Sequence, residues 1–302
     1  MLGGVTPGVH RVFVTGATGF VGHALVRALC AEGHSVRCLV RRGSEVDLQG
    51  LTAFERVEGD VMARQSLEEG IAGCDAVVHL VGAIREHPAE QATFERLHVR
   101  ATLNVLDAAE ATGARRFLHV SALGARASSP SRYHRTKWTA EEAVRASALH
   151  WTILRPSLIY GRGDHFLSTL ATMVRRLPVV PIVGTGGQRL QPVVVDHVAR
   201  ALTRALALET TVKQTFDVGG PDAVSLAQLL DLIGRTLGRR RVFKAFVPPT
   251  LVAWLSRLPG FPIGREQLIL LQEDNVCDAR PFYAAFGIEP LPLATGLAQM
   301  LG

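Results

Sequence analysis

The amino-acid sequence predicts an α/β fold: a doubly wound parallel sheet with helices on both faces and a smaller C-terminal lobe. Three observations carry that prediction. Short apolar runs alternate with amphipathic stretches through the first half of the chain, a glycine-rich turn follows the first run, and Pro and Gly punctuation breaks the rhythm from about residue 164.

The run RVFVTG leads into a helix near 20–32, then come SVRCLV, a third strand before EGDV, a helix near 64–72 and AVVHLVG. An Ala-rich helix near 93–112, the strand RFLHVS, a helix carrying YHRTK and the strand WTILRP follow. Strands buried on both faces read as continuous apolar runs, as these do, so the sheet is expected to be parallel. Residues 9–163 form the main domain in this reading, and the chain returns to it at about 190–218, in QPVVVDHVARAL and TFDVGG. RRLPVVPIVGTGG, VGGPD, FVPPT and LPGFPIG interrupt the smaller lobe, 164–302. No linker is evident, so a cleft between packed lobes is expected.

At 302 residues and 47% hydrophobic content, the chain can bury a large core. Its 33 Lys+Arg against 27 Asp+Glu give +6, which favours anionic ligands or surfaces. The three Tyr and three Trp are not interleaved with the dispersed arginines, so no nucleic-acid platform is expected. Cys30, Cys38, Cys74 and Cys277 lack CxxC spacing and a matching His pair, so neither a metal site nor a disulfide framework is expected, and a reducing compartment fits. The N-terminus lacks a charged segment followed by a long apolar one, and no run reaches the roughly 18 apolar residues of a membrane span. A cytoplasmic location follows as an expectation.

VTGATGFVGHALVRAL sets Gly16, Gly19 and Gly22 directly after a strand and at the start of an apolar-periodic helix. Glycine permits the tight turn and the close approach of backbone N–H groups to a pyrophosphate, at the positive end of the helix dipole. In that context the motif is expected to be a dinucleotide site, the alternative being a Gly-rich βα turn with no ligand. In the usual NAD pattern an acid at the end of the second strand holds the ribose, but here Arg41 and Arg42 stand there. Two guanidiniums suit a 2′-phosphate, so NADP(H) is expected in preference to NAD(H). The alternatives are solvated surface arginines, with Glu45 reaching the ribose. Asp60 in EGDV either meets the adenine or simply closes a turn.

Together VTGATGFVG, GDV, HLVGA, YHRTK and RPSLIYGRGD resemble the short-chain dehydrogenase/reductase superfamily in its extended, epimerase/dehydratase-like form. QPVVVDHVARAL, FDVGGPDAVSLAQLLDLI and REQLILLQEDNV resemble its atypical branch, typified by the nucleotide-binding accessory subunit of respiratory complex I and its bacterial stand-alone relatives. The resemblance implies a Rossmann-type domain holding NAD(P)(H) and a C-terminal lobe forming the substrate cleft. It implies cofactor contacts at Gly16, Thr18, Gly19, Phe20, Val21, Gly22, Asp60, Val61, Leu80, Val81, Gly82 and Pro156. It also implies that Tyr133 is the acid/base, and that Lys137, one helical turn on, lowers the phenol's pKa and holds the nicotinamide ribose. The alternative is that both residues merely decorate a helix surface.

Two departures stand out. The second hydroxyl that usually ends the strand before the Tyr is Ala122, after Ser121. Ser121, or Ser128, Ser129 or Ser131 in a folded-back loop, would have to substitute, unless Ser121 merely bonds backbone. The family's relay Asn aligns with His98, which is either a proton relay or a packed helix histidine, while Asn104 matches a structural position.

Arg155, Pro156 and Tyr160 resemble the segment beside the nicotinamide. Asp196 is expected to cap a helix, and Gln191 to border the cleft. The stretch 239–265 mixes Arg239, Arg240, Arg241, Lys244, Arg257 and Arg265 with Phe246, Leu251, Trp254, Leu255 and Leu258, suited to docking on an acidic membrane surface or a respiratory partner, or to the lobe's core. Oligomeric state stays open; the resemblance suggests pairing through helices near 93–112 and 133–148. The sequence thus predicts an NADP(H)-dependent oxidoreductase acting on a small apolar or quinone-like carbonyl or alcohol. The alternatives are a non-catalytic nucleotide-holding accessory protein and a nucleotide-sugar epimerase.

Overall fold

The computed structural model describes residues 8, 10–43, 54–256 and 264–302. Glu45, Arg257 and Leu258 lie outside the described residues. The chain runs β1 (Arg11–Thr15), α1 (Phe20–Ala31), β2 (Ser35–Val40), β3 (Phe54–Glu58), α2 (Arg64–Ile71) and β4 (Ala76–His79). A π-helical turn, Glu95–Arg100, opens directly into α3 (Ala101–Thr112), followed by β5 (Arg116–Val120), α4 (Arg132–Ala146) and β6 (His150–Pro156). The Ala-rich helix read from the sequence is therefore widened in its first turns, a distortion that often marks a functional site.

Seven strands make one parallel sheet in the order β11-β6-β5-β4-β1-β2-β3, with β11 (Gln214–Val218) added at the edge by the returning chain. All of β1 after Arg11 and all of β4 and β5 are buried, as two covered faces require. The strand order reverses between β1 and β4, where doubly wound sheets open a crevice beyond their carboxyl ends. Register lines up Thr15, His79 and His119 at that end.

After β7 (Ile159–Tyr160) the chain forms α5 (Phe166–Arg176), β8 (Val179–Val183), β9 (Arg189–Leu190), β10 (Val193–Val194) and α6 (Val195–Ala205). Beyond β11 come β12 (Val224–Ser225), α7 (Leu226–Thr236), β13 (Phe243–Val247), α8 (Pro249–Leu255), α9 (Arg265–Leu270), α10 (Arg280–Phe286) and α11 (Leu293–Leu301). One core unites α1, α6 and α10 with the sheet, through Leu25, Leu29, Val198, Leu202, Phe282 and Phe286. The opposite face carries α2, α3 and α4, through Leu67, Ile71, Val105 and Val144. Each such side chain stabilises the fold by about 1.5–3 kcal/mol relative to exposure. A third core joins α5, α7, α11 and β8.

Candidate functional site

Gly16 has φ +75°, and a Cβ there would lie 3.1 Å from the Leu80 carbonyl carbon and 3.2 Å from the Val81 nitrogen. Only glycine suits that turn. Gly19 donates to the Gly16 carbonyl at 3.0 Å and caps α1 without any side-chain hydrogen bond, leaving the first-turn N–H groups to a ligand. A Cβ on Gly22 would strike the carbonyls of Gly16 and Ala17, so the turn and helix pack backbone to backbone. The result is a cradle for an anion at a helix N-terminus, with Thr18, Phe20 and Val21 around it.

Beyond the carboxyl end of β2, which lies beside β1, Arg41 and Arg42 are exposed. Arg42 Nε stands 3.3 Å from Glu58 Oε1, a pair too exposed to add much stability but close enough to pre-position the guanidinium. Glu58 had no role in the sequence reading. Asp60 Oδ1 accepts from the Met62 N–H at 2.8 Å, so its carboxylate closes a turn, and Asn104 Nδ2 ties α3 to the Val61 carbonyl at 2.9 Å. Asn104 is structural, as expected.

Tyr133 and Lys137 sit one turn apart on α4, whose N-cap Ser131 accepts from the His134 N–H. Lys137 is buried and donates to the Val120 carbonyl at 3.1 Å. Its ammonium also lies beside Gly82, where an added Cβ would be 2.9 Å away. Tyr133 meets the His98 ring edge-on, centroids 5.3 Å apart, and Phe94 at 5.8 Å. Burial lowers Lys137 to about 8, partly opposed by Glu141, and pushes Tyr133 up to about 12. The expected depression of the phenol is therefore not found: desolvation dominates, and the lysine's charge falls on His79, His98 and His119 instead. At neutral pH the phenol is therefore protonated.

His98 is packed between Phe94, α4 and the loop after β4. It stacks on Phe94, meets Thr136 Oγ1 through Nδ1 at 2.8 Å, and meets Ala83 through Nε2 at 3.1 Å. Both ring nitrogens are engaged, and burial holds the ring neutral with a pKa of about 2. Ser121 differs. Its backbone N–H bonds the Leu154 carbonyl, yet its buried Oγ has no partner among the described residues, and neither do His79 Nε2 or both nitrogens of His119. Buried polar atoms of this kind are usually satisfied by water or ligand.

The candidate serines beyond Ser121 are engaged elsewhere or turned outward. Ser129 accepts from the Ser131 N–H, Ser131 donates to Glu266 Oε2 at 2.9 Å, and Ser128 is exposed. Arg155 does not reach the crevice: it grips buried Glu141. Tyr160 is buried in the small lobe's core against Gly296. Pro156 ends β6, and its carbonyl accepts from the Leu123 N–H at 2.9 Å, fixing the loop that carries Ala122. Asp196 is not the expected cap: Val194 takes that position, and Asp196 lies two residues further on, in the first turn of α6. Gln191 is a buried cross-link, donating to the Gly220 carbonyl at 2.7 Å and accepting from the Cys277 N–H at 2.8 Å.

What the sequence reading missed is the strap from α9 to Asn275. Glu266 Oε2 accepts from Ser131 and, at 3.4 Å, from the Tyr133 N–H; Gln267 donates to the Ile84 carbonyl at 2.7 Å. Glu273 pairs with Arg126 at 2.9 Å and approaches His134 at 3.6 Å. Asn275 accepts from the Leu158 N–H at 3.2 Å and donates to the Leu123 carbonyl at 3.4 Å. The strap thus ties together the loops that follow β4, β5 and β6. REQLILLQEDNV had stood out only as a family signature.

A parallel sheet with a glycine cradle at its switch point and a Tyr/Lys helix alongside defines a dinucleotide-binding protein of the short-chain dehydrogenase/reductase type. The chain belongs to the NAD dependent epimerase/dehydratase family, whose pattern matches residues 12–219. Among curated relatives it is 35% identical, over 73% of its length, to the mitochondrial NADH dehydrogenase (ubiquinone) 1 alpha subcomplex subunit 9 of Arabidopsis thaliana. It is 36% identical, over 65% of its length, to the ceramide reductase of Caulobacter vibrioides. These matches span 56% and 60% of the two relatives. The solved structure of gox2253 shares the fold at TM-score 0.79 and 22% identity, covering 97% of both chains.

Proposed function

We propose that the protein is an NADP(H)-dependent oxidoreductase that reduces an apolar carbonyl compound, with Tyr133 as proton donor. The observation that carries this reading is the placement of Lys137 against Gly82 and Val120, which brings the Tyr133 turn to the carboxyl ends of β4 and β5 beside the glycine cradle. The cradle fits a pyrophosphate, and the bound dinucleotide would supply the hydride. Arg41 and Arg42 would take the 2′-phosphate, Arg42 held in place by Glu58. Tyr133 would give its proton to the developing alkoxide, and Lys137 would hold the nicotinamide ribose. Ser121, whose buried hydroxyl has no partner among the described residues, would polarise the carbonyl in place of the hydroxyl that Ala122 lacks. The relative named for ceramide supports an apolar substrate. A cytoplasmic protein at the inner face of a membrane fits such a substrate.

A second reading rests on Ala122 and on the relative named as an NADH dehydrogenase subunit: a protein that holds its nucleotide without turnover and attaches to a respiratory assembly through 239–265. An epimerase is disfavoured, because Ala122 replaces the hydroxyl such chemistry uses. The readings part on turnover. NADPH oxidation with a panel of apolar ketones and quinones supports the oxidoreductase, and retained nucleotide with no turnover supports the accessory protein.

A further inference from the structure

β8 and β13 form a separate two-stranded parallel ribbon in the small lobe, pairing Phe243 with Val179, Ala245 with Pro181 and Val247 with Val183. Its inner face is ordinary: Val180 and Ile182 are each 1% exposed and belong to the core with α5 and α7. Its outer face is not. A sheet face turned to water normally alternates to polar residues, yet here all six outward positions are apolar, with Val179 44% and Phe243 59% exposed. Leu251 and Trp254 on α8 are also exposed, Trp254 at 58%, whereas Phe246 pairs with Ile182 and projects from the ribbon's other face. So many exposed large apolar side chains in one region mark an interaction surface.

The charge around this face is predominantly positive. Arg175 and Arg176 end α5, Arg239 bonds the carbonyls of Arg175 and Leu177, and Arg240 and Arg241 lead into β13. Residues 165–195 and 232–265 contain no Asp or Glu at all. Arg235, Arg239, Arg240 and Arg241 line a cavity of about 490 Å³, whose one carboxylate, Asp231, is taken by Lys244 at 2.5 Å. Among the described residues, Arg175, Arg176, Arg235, Arg240 and Arg241 have no carboxylate partner. A second copy of the chain would meet this face with like charge, which disfavours self-association.

We propose that this face docks on a membrane surface bearing anionic phospholipids. Phe243, Leu251 and Trp254 enter the boundary between headgroups and acyl chains, while Arg175, Arg176, Arg240 and Arg241 meet the phosphates. The proposal deepens the attachment reading of 239–265 by naming the partner. Its test reads binding and not turnover, so its failure leaves the oxidoreductase reading untouched.

The test is co-sedimentation of the purified full chain with vesicles of phosphatidylcholine alone and of equal parts phosphatidylcholine and phosphatidylglycerol, at low and high salt. The anionic vesicles should carry the protein down at low salt and release it at high salt; the neutral ones should not bind it. Arg240→Glu with Arg241→Glu should weaken binding by about thirtyfold or more, since each arginine near a charged surface is worth roughly fivefold. Phe243→Ser with Trp254→Ser should also weaken it, with the melting transition of both variants unchanged. Equal binding by folded variants overturns the proposal. No binding to anionic vesicles at low salt overturns it as well, and leaves the face to an acidic protein partner.

Discussion

The Lys137 ammonium occupies the space that a side chain on Gly82 would need, 2.9 Å from the position of an added Cβ. Gly82→Ala therefore meets the flexible end of a lysine and not rigid backbone. The fold should lose no more than about 1 kcal/mol, while the ammonium is displaced from its place by Val120. Steady-state kinetics should show kcat/KM for carbonyl reduction reduced by roughly tenfold or more, because a misplaced group near the reacting centre is expensive.

Ser121→Ala separates catalysis from stability. The Oγ makes no hydrogen bond within the described residues, so its removal should leave the melting temperature unchanged or slightly raised. If the hydroxyl polarises the substrate, turnover should fall by about 10² to 10³. Equal turnover in the variant would remove Ser121 from the site.

Glu266→Ala cuts the strap at its bonds to Ser131 and the Tyr133 N–H. Hydrogen bonds to a charged acceptor contribute roughly 1.5–3 kcal/mol when buried, and less at this half-buried site. A modest fall in melting temperature with a larger rise in KM is expected, and Glu266→Gln should restore most of both.

Two pH dependences follow from burial. Lys137 titrates at about 8, so an activity that needs the ammonium should be level below that pH and fall above it. His79 is held at about 3, His98 at about 2 and His119 well below its ordinary value. The unfolded chain protonates these rings near pH 6.5 and the folded one does not, so their contribution is complete above about 6.5 and is lost as pH falls towards 3. His79 and His98 should each cost about 1.4 kcal/mol per pH unit across that window, and His119 adds a loss in the same direction. Denaturation midpoints measured from pH 7 to 4 should show a shallower decline in His119→Phe.

The parts of the site legible in the sequence are those written in local pattern. RVFVTG followed by two further glycines encodes strand, turn and helix within a dozen residues, and YHRTK encodes one helical turn. The illegible parts are long-range. Glu266 reaches Tyr133 across 133 positions and Asn275 reaches Leu123 across 152, and no periodicity announces either contact. Local pattern also cannot weigh desolvation. It foresaw a lysine close enough to acidify Tyr133, whereas burial raises that phenol and turns Arg155 and Tyr160 to structural partners.

The central claim is that Tyr133 donates a proton during NADPH-dependent reduction. The most direct test releases and identifies the nucleotide from purified, denatured protein, then follows NADPH oxidation with a ketone and quinone panel in wild type and Tyr133→Phe. The account predicts NADP(H), turnover in the wild type, and a loss of about 10² to 10⁴ in the variant. Nucleotide retained by a protein that turns over nothing, or equal turnover in Tyr133→Phe, would contradict it, and NAD(H) in place of NADP(H) would remove the role given to Arg41 and Arg42.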